Sequence, residues 1–385
     1  MLKFNMEKTF KTLLGLFLLL TISISSAFST IDFGKNNDFQ LDFAPIDPLY
    51  KESLAYPFSN TFRFNYMIAP KTEGNVANTI LVSADNGGSP SYKELEYKDL
   101  STHNTKFWGL KSCINIGILR LTYKDIAAVE GYIHGGINTV FGAYGGVDCL
   151  GFDGQYGAGI SALLLDSIAL RAGFHHFSGH WGDEILNDFY SKGYSESEYK
   201  TITEYTRNNS WYLGASYDLK GYLRFAVDAE LPMANSWIRP AAHVPAETTK
   251  PSSEESPEDA NTAEHIWSQE GFDDRDNHHY PASYKAWRIG LSLEAQYPIK
   301  NVGRVYAALD LQLHQDGKID IATADYNADL PWKKEFSAVL GFAFQDYKEL
   351  PEFAVELGYH KGRFPLLNYW FQDVEYFSVG IGLTL

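Results

Sequence analysis

Two histidines bracket a serine in the stretch from Leu170 to Glu184, L-R-A-G-F-H-H-F-S-G-H-W-G-D-E. In an extended chain, residues two apart share a face, so His176, Ser178 and His180 lie together. A serine hydroxyl attacks an ester only when a base removes its proton, and a third group usually orients that base. On a strand, the Cα atoms of His176 and Ser178 are about 6.5–7 Å apart, within side-chain reach. His176 is then the candidate base and Ser178 the candidate nucleophile. Asp183 or Glu184, returning through the following loop, would orient His176. His180 would polarise a carbonyl or hold a head-group phosphate. This set of five predicts acyl-ester hydrolysis. Chelation of one metal ion is disfavoured, because His176 and His180 stand about 13 Å apart on a straight strand. No Cys/His metal spacing and no phosphate-cradling glycine loop occurs, so neither a metal nor another cofactor is expected. The competing reading is a polar rim whose His, Ser and Asp residues only hydrogen-bond loop carbonyls.

What the cluster does depends on the surface it sits on. Ile168, Leu170, Ala172 and Phe174 precede it on the same face, while Arg171, Gly173, His175 and Gly179 take the other. The same alternation recurs along the chain. Leu110, Ile114, Ile116 and Ile118 oppose Lys111, Cys113, Asn115 and Gly117 within Lys106–Tyr123. Val129, Ile133, Ile137 and Phe141 oppose Glu130, His134 and Asn138 within Ile126–Gly142. Comparable segments cover Phe152–Leu164, Trp211–Tyr217, Leu223–Leu231, Trp287–Tyr297, Val305–Leu313, Phe336–Phe344, Phe353–Tyr359 and Phe377–Leu385. Tight turns such as Lys124-Asp125 and Asp166-Ser167 alternate with long polar connections, Ala84–Thr105, Trp181–Asn208, Pro232–Tyr284 and Gln315–Pro331.

Strands with one apolar face, joined alternately by short and long connections, are the signature of an all-β transmembrane antiparallel barrel. Lipid lies outside, and a polar lumen holds residues such as Glu130, Asp153, Arg288, Asp310 and Glu356. Eleven segments are clear, and parity asks for one more, for which Phe62–Met67 and Asn78–Ser83 compete. The expected count is therefore about 12, with 14 as the nearest alternative. In that topology Ile168–Trp181 runs outward, so the His-x-Ser-x-His cluster falls at the outer rim on the lipid-facing stripe.

Composition agrees. The 385 residues are 15% aromatic with a net charge of −16, which excludes a nucleic-acid partner because phosphate binding needs a basic surface. Cys113 and Cys149 are too few for a disulfide framework, though one bridge between them stays open. Lys3, Lys8 and Lys11, the apolar run Leu13–Ile24 and the site Ala27-Phe28-Ser29 read as a signal peptide over residues 1–29. No later apolar run is long enough for a membrane helix. The organisation expected is a signal peptide (1–29), an irregular periplasmic segment (30–58) and an outer-membrane barrel (59–385). Residues 232–284 would form a long acidic outer loop. Partners expected are outer-membrane lipid and, through the C-terminal strand, the barrel-assembly machinery.

His176-Phe177-Ser178-Gly179-His180-Trp181-Gly182-Asp183-Glu184 resembles the H-x-S-S-H-x-G-D-E signature of an uncharacterised bacterial outer-membrane barrel family, a domain of unknown function. The stretches 152–160 and 358–365 look like further landmarks of that family. The departure is Gly179, where the family has a second serine, leaving Ser178 as the motif's hydroxyl. His176 and Ser178 also match the His-x-Ser of the outer-membrane lipid A deacylase, a barrel esterase. The resemblance implies an outer-membrane barrel without assigned activity, and the polar lumen points to a structural or passive transport role. The alternative is an outer-leaflet lipid esterase built on a Ser-His pair.

Overall fold

The computed structural model describes residues 30–34, 36–59, 61–69, 79–85, 90–96, 105–124, 126–143, 148–185, 206–232, 287–314, 332–344, 352–369 and 372–384. The expected signal peptide and almost all of the acidic loop lie outside them. Among the described residues no helix is long and apolar enough to cross a membrane.

Two strands precede the barrel, β1 (Thr30–Phe33) and β2 (Phe39–Phe43). Its wall begins with β3 (Phe62–Ile68). A separate hairpin follows, β4 (Thr79–Asp85) and β5 (Pro90–Glu96). The wall then continues through β6 (Lys106–Tyr123), β7 (Ala127–Gly142), β8 (Asp148–Leu164), β9 (Ile168–Trp181) and β10 (Thr206–Leu219). It is completed by β11 (Leu223–Pro232), β12 (Arg288–Ile299), β13 (Gly303–His314), β14 (Lys333–Phe344), β15 (Glu352–Arg363) and β16 (Asp373–Thr384). Each strand from β6 to β16 pairs antiparallel with the next, and β3 pairs with both β16 and β6. The result is a closed barrel of 12 strands. Phe62–Ile68 supplies the twelfth strand, whereas the competing Asn78–Ser83 segment falls largely in the β4–β5 hairpin, outside the wall.

Four connections at one end are three residues long, because β6/β7, β8/β9, β10/β11 and β12/β13 close at Tyr123↔Ala127, Leu164↔Ile168, Leu219↔Leu223 and Ile299↔Gly303. Such reversals need left-handed backbone, supplied by Lys124 (φ 48°), Asp166 (φ 50°), Gly221 (φ 73°) and Asn301 (φ 60°). The long connections gather at the other end, the outer one by the usual barrel rule.

The two faces of the wall sort as the alternation predicts. Ile160, Leu213, Leu340 and Leu357 point outward and are each more than 50% exposed. In water each would forfeit roughly 1.5–3 kcal/mol of burial, so this surface is made for lipid. Inward, Glu130, Asp153, Arg288, Asp310 and Glu356 are all buried.

The N-terminal segment departs from the expected irregular periplasmic arm. β1 and β2 form a hairpin whose second strand pairs with the lower part of β6, Phe39↔Tyr123 to Phe43↔Leu119. β3 pairs with the upper part of the same edge, Ile68↔Lys106 to Arg63↔Lys111. Barrel strands are staggered, so one short strand cannot cover the whole length of β6; two share it. Between them, residues 45–59 run through the lumen. Arg120 bonds Asp47 at 3.2 Å and Glu130 at 2.6 Å. Tyr50 donates to Asp228 (3.0 Å), and Arg171 bridges Glu52 and Asp228. The amide of Leu54 donates to Glu294 (2.9 Å), while Lys111 donates to the carbonyls of Pro57 and Ser59. Ala55 packs among Tyr306, Ala308, Val339, Ala343 and Ala354.

The polar interior is therefore a matched ionic core rather than an open, hydrated lumen. Arg63–Glu356, Arg288–Glu230 and Arg363–Glu335 complete it at 2.5–2.8 Å. Cavities of about 60 Å³ and 30 Å³ remain between the internal segment and the wall. Cys113 and Cys149 are unbridged; Cys113 points inward and accepts from Gln155.

Candidate functional site on the outer face of β9

β9 pairs with β8 on one side and β10 on the other, so His176 and Ser178 have a register partner on each side and His180 has one, on β8. His176 lies between Tyr156 and Asn209, Ser178 between Gly154 and Arg207, and His180 beside Phe152. Phe152 and Tyr156 are exposed on the apolar outer surface. The three motif residues therefore sit on the lipid-facing side, at the long-loop end of an outward strand.

Ser178 Oγ is 3.2 Å from His180 Nε2 and 3.5 Å from the carbonyl oxygen of Gly154. His176 Nδ1 is 2.5 Å from Asn209 Oδ1. An amide oxygen only accepts, so this bond places the proton on Nδ1. Both imidazoles are stacked on aromatic rings, His176 on Tyr156 (4.4 Å) and His180 on Phe152 (4.7 Å). The stacking fixes the plane of each ring.

Of the five residues singled out in the sequence, the fold brings together Ser178, His176 and His180. Asp183 and Glu184 are exposed in a helical turn beyond β9, and the place beside His176 Nδ1 belongs to Asn209. The expected carboxylate is thus replaced by a neutral amide. Asn209 escaped the sequence reading because Trp181–Asn208 reads as loop and the next strand as starting at Trp211. The strand in fact begins at Thr206, and Asn209 shares the face of Trp211 and Leu213. Continuing that alternation two residues upstream is the signal that finds it.

The inner face of β9 is held from behind. Phe177 meets Phe58 of the internal segment edge-on at 5.8 Å, and both pack on Leu367. Trp181 meets Tyr369 at 4.9 Å. The 3-10 turn Leu367–Tyr369, between β15 and β16, is itself anchored where the amide of Leu367 donates to Asp153 (2.9 Å). Nearby, Asn138 donates to the Pro365 carbonyl (2.7 Å). Gly179 faces this turn directly: a Cβ there would stand 2.9 Å from the Asn368 nitrogen and 2.9 Å from Leu367 Cβ. That close approach explains glycine at the position where the resembled signature has serine. Arg171 and Glu130 enter separate ion pairs, His134 packs against His175 at 5.2 Å, and Asp153 holds the turn.

A closed 12-strand barrel with an apolar belt around an ionic core has one setting. The chain is a bacterial outer-membrane β-barrel protein. No family model and no curated protein matches it. Solved structures of similar shape include the Salmonella typhi outer membrane phospholipase dimer with bound calcium, at 10% identity and a TM-score of 0.40, covering 87% of this chain and 95% of that one. Others are an outer membrane channel from Pseudomonas putida F1 (9%, TM-score 0.35, 88% and 98% covered) and the translocator domain of the autotransporter NalP from Neisseria meningitidis (10%, 0.31, 85% and 89%). They are a phospholipase, a channel and an autotransporter's translocator domain, and a likeness this distant selects none of these roles.

Proposed function

We propose that this barrel is an outer-leaflet lipid esterase in which Ser178 is the nucleophile and His176 the general base, oriented by Asn209. The observation that carries the reading is His176 Nδ1 held by Asn209 Oδ1 beside a serine two residues on, all on the lipid-facing side of the wall. Polar groups are expensive on that surface, and four of them in one cluster call for a use.

In the reaction, Ser178 Oγ attacks the acyl carbonyl while His176 Nε2 takes its proton. The proton then passes to the leaving alcohol of the lipid, and water releases the fatty acid from the acyl-serine. His180, 3.2 Å from the hydroxyl, steers it at rest and faces the carbonyl or head group of the incoming lipid. The base role goes to His176 because a defined third group fixes its tautomer. The expectation of a passive transport role draws no support from the lumen, which residues 45–59 and their hydrogen bonds and ion pairs occupy.

The test uses the protein refolded in detergent and offered mixed outer-membrane phospholipid and glycolipid, with released fatty acid followed by mass spectrometry. Release by wild type should fall to background in Ser178→Ala and His176→Ala, with heat-stable gel mobility retained, and should fall less in His180→Ala. Absence of release from folded wild type on both lipid classes would sink the proposal. Loss in His180→Ala but not His176→Ala would exchange the two histidines' roles.

A further inference from the structure

We infer that Gly154 is the specificity-determining position of this site: its missing side chain opens a notch, between the rings of Phe152 and Tyr156, through which a single unbranched acyl chain brings its ester to Ser178. The inference rests on the esterase reading and names the acyl feature that the site selects.

Ser178 points to the lipid side yet is only 8% exposed. His180 Nε2 stands 3.2 Å from its hydroxyl, and the two flanking imidazoles stack on rings of β8, His176 on Tyr156 and His180 on Phe152. On the β8 side the outward row reads Phe152, Gly154, Tyr156, which is ring, gap, ring, with the gap directly across from the serine. A Cβ at Gly154 would lie 3.3 Å from Ser178 Oγ and meet nothing else within 4 Å. The backbone there is ordinary strand, so no turn or left-handed conformation requires glycine. A glycine inside a strand weakens it, and it often marks a place where a ligand approaches closely.

The geometry sets what can enter. The two rings stand four residues apart along β8, about 13 Å between Cα atoms, and each carries a stacked imidazole that holds it in place. A linear chain can lie across the strand between them with its carbonyl at Ser178. A branch near the ester would strike a ring.

Phosphonofluoridate probes read this directly. Ser178 Oγ attacks phosphorus, fluoride leaves, His176 takes the proton, and the serine becomes a stable phosphonate ester. Full-length protein in detergent is treated with one probe bearing a hexadecyl chain and one bearing a methyl group, and labelling of Ser178 is timed by mass spectrometry. Wild type should react with both. Gly154→Leu should slow labelling by the long-chain probe about tenfold or more, with the methyl probe much less affected. Gly154→Ala should fall between, and Ala158→Leu, an enlargement on the same outer face beyond Tyr156, should match wild type.

Unchanged long-chain labelling of folded Gly154→Leu would overturn the notch while leaving the nucleophile established. Equal slowing of both probes would overturn it too, by showing general damage to Ser178. Should Gly154→Leu fail to fold, Gly154→Ala carries the comparison. Failure of both probes to label Ser178 in wild type would overturn the esterase reading and the notch with it.

Discussion

His175 and His176 are neighbours in sequence and face opposite sides of one wall. His175 looks inward, its Nδ1 3.5 Å from Glu230, its ring edge-on to His134 and Phe177. His176 looks outward, bonded to a neutral amide and stacked on Tyr156. The contrast holds for the regions around them. The lumen is built largely on Arg–carboxylate pairs, to which the internal segment contributes Glu52, while Lys111 and Asp153 are held by neutral partners. The outer cluster is Asn, His, Ser and His, joined by the His176–Asn209 and His180–Ser178 contacts. Buried ion pairs hold a shape, and removing one partner is costly. An imidazole beside a hydroxyl is suited instead to moving a proton.

Three substitutions would sharpen or break that contrast. The largest effect belongs to the outer cluster. Asn209→Ala should lower kcat by about 10²-fold with KM nearly unchanged, because the imidazole loses its fixed tautomer while the lipid surface is untouched. An equal loss in KM would mean that Asn209 only holds the two strands together. Arg171→Met addresses the lumen. It leaves Glu52 and Asp228 facing each other uncompensated and should destabilise the barrel by about 3–5 kcal/mol. Urea unfolding would register this, and lipid turnover by the fraction still folded should be preserved; a selective loss of turnover would tie the two faces together. Gly179→Ser is the mildest. It restores the serine of the resembled signature but crowds Leu367 and Asn368, at a cost of about 1–3 kcal/mol. Wild-type stability in that variant would show that the 3-10 turn can give way.

Much of this was legible in the chain. Period-two alternation needs no partner to be seen, since a strand in a barrel wall meets lipid on one side and the lumen on the other along its whole length. The lipid facing of His176, Ser178 and His180 follows from the same period. Two features were not legible. The segment 45–59 reads as irregular because its shape comes from its partners, carboxylates and guanidinium groups on strands such as β6, β9, β11 and β12, rather than from any repeat of its own. Its prolines and polar residues look the same in a periplasmic arm as in a barrel interior.

Asn209 shows the same division at the site. The sequence by itself determined the strand content, the sidedness of the wall and the serine flanked by two histidines, because these rest on residues close in the chain. Tertiary structure decided which group orients His176, because β9 and β10 pair across a connection of 24 residues, 182–205, and only their register sets Asn209 opposite His176. It also decided that the lumen is filled, and that a glycine on the preceding strand stands open beside the serine. A one-residue slip in either ladder would turn those partners to the opposite face, and such a register is a property of the closed barrel as a whole.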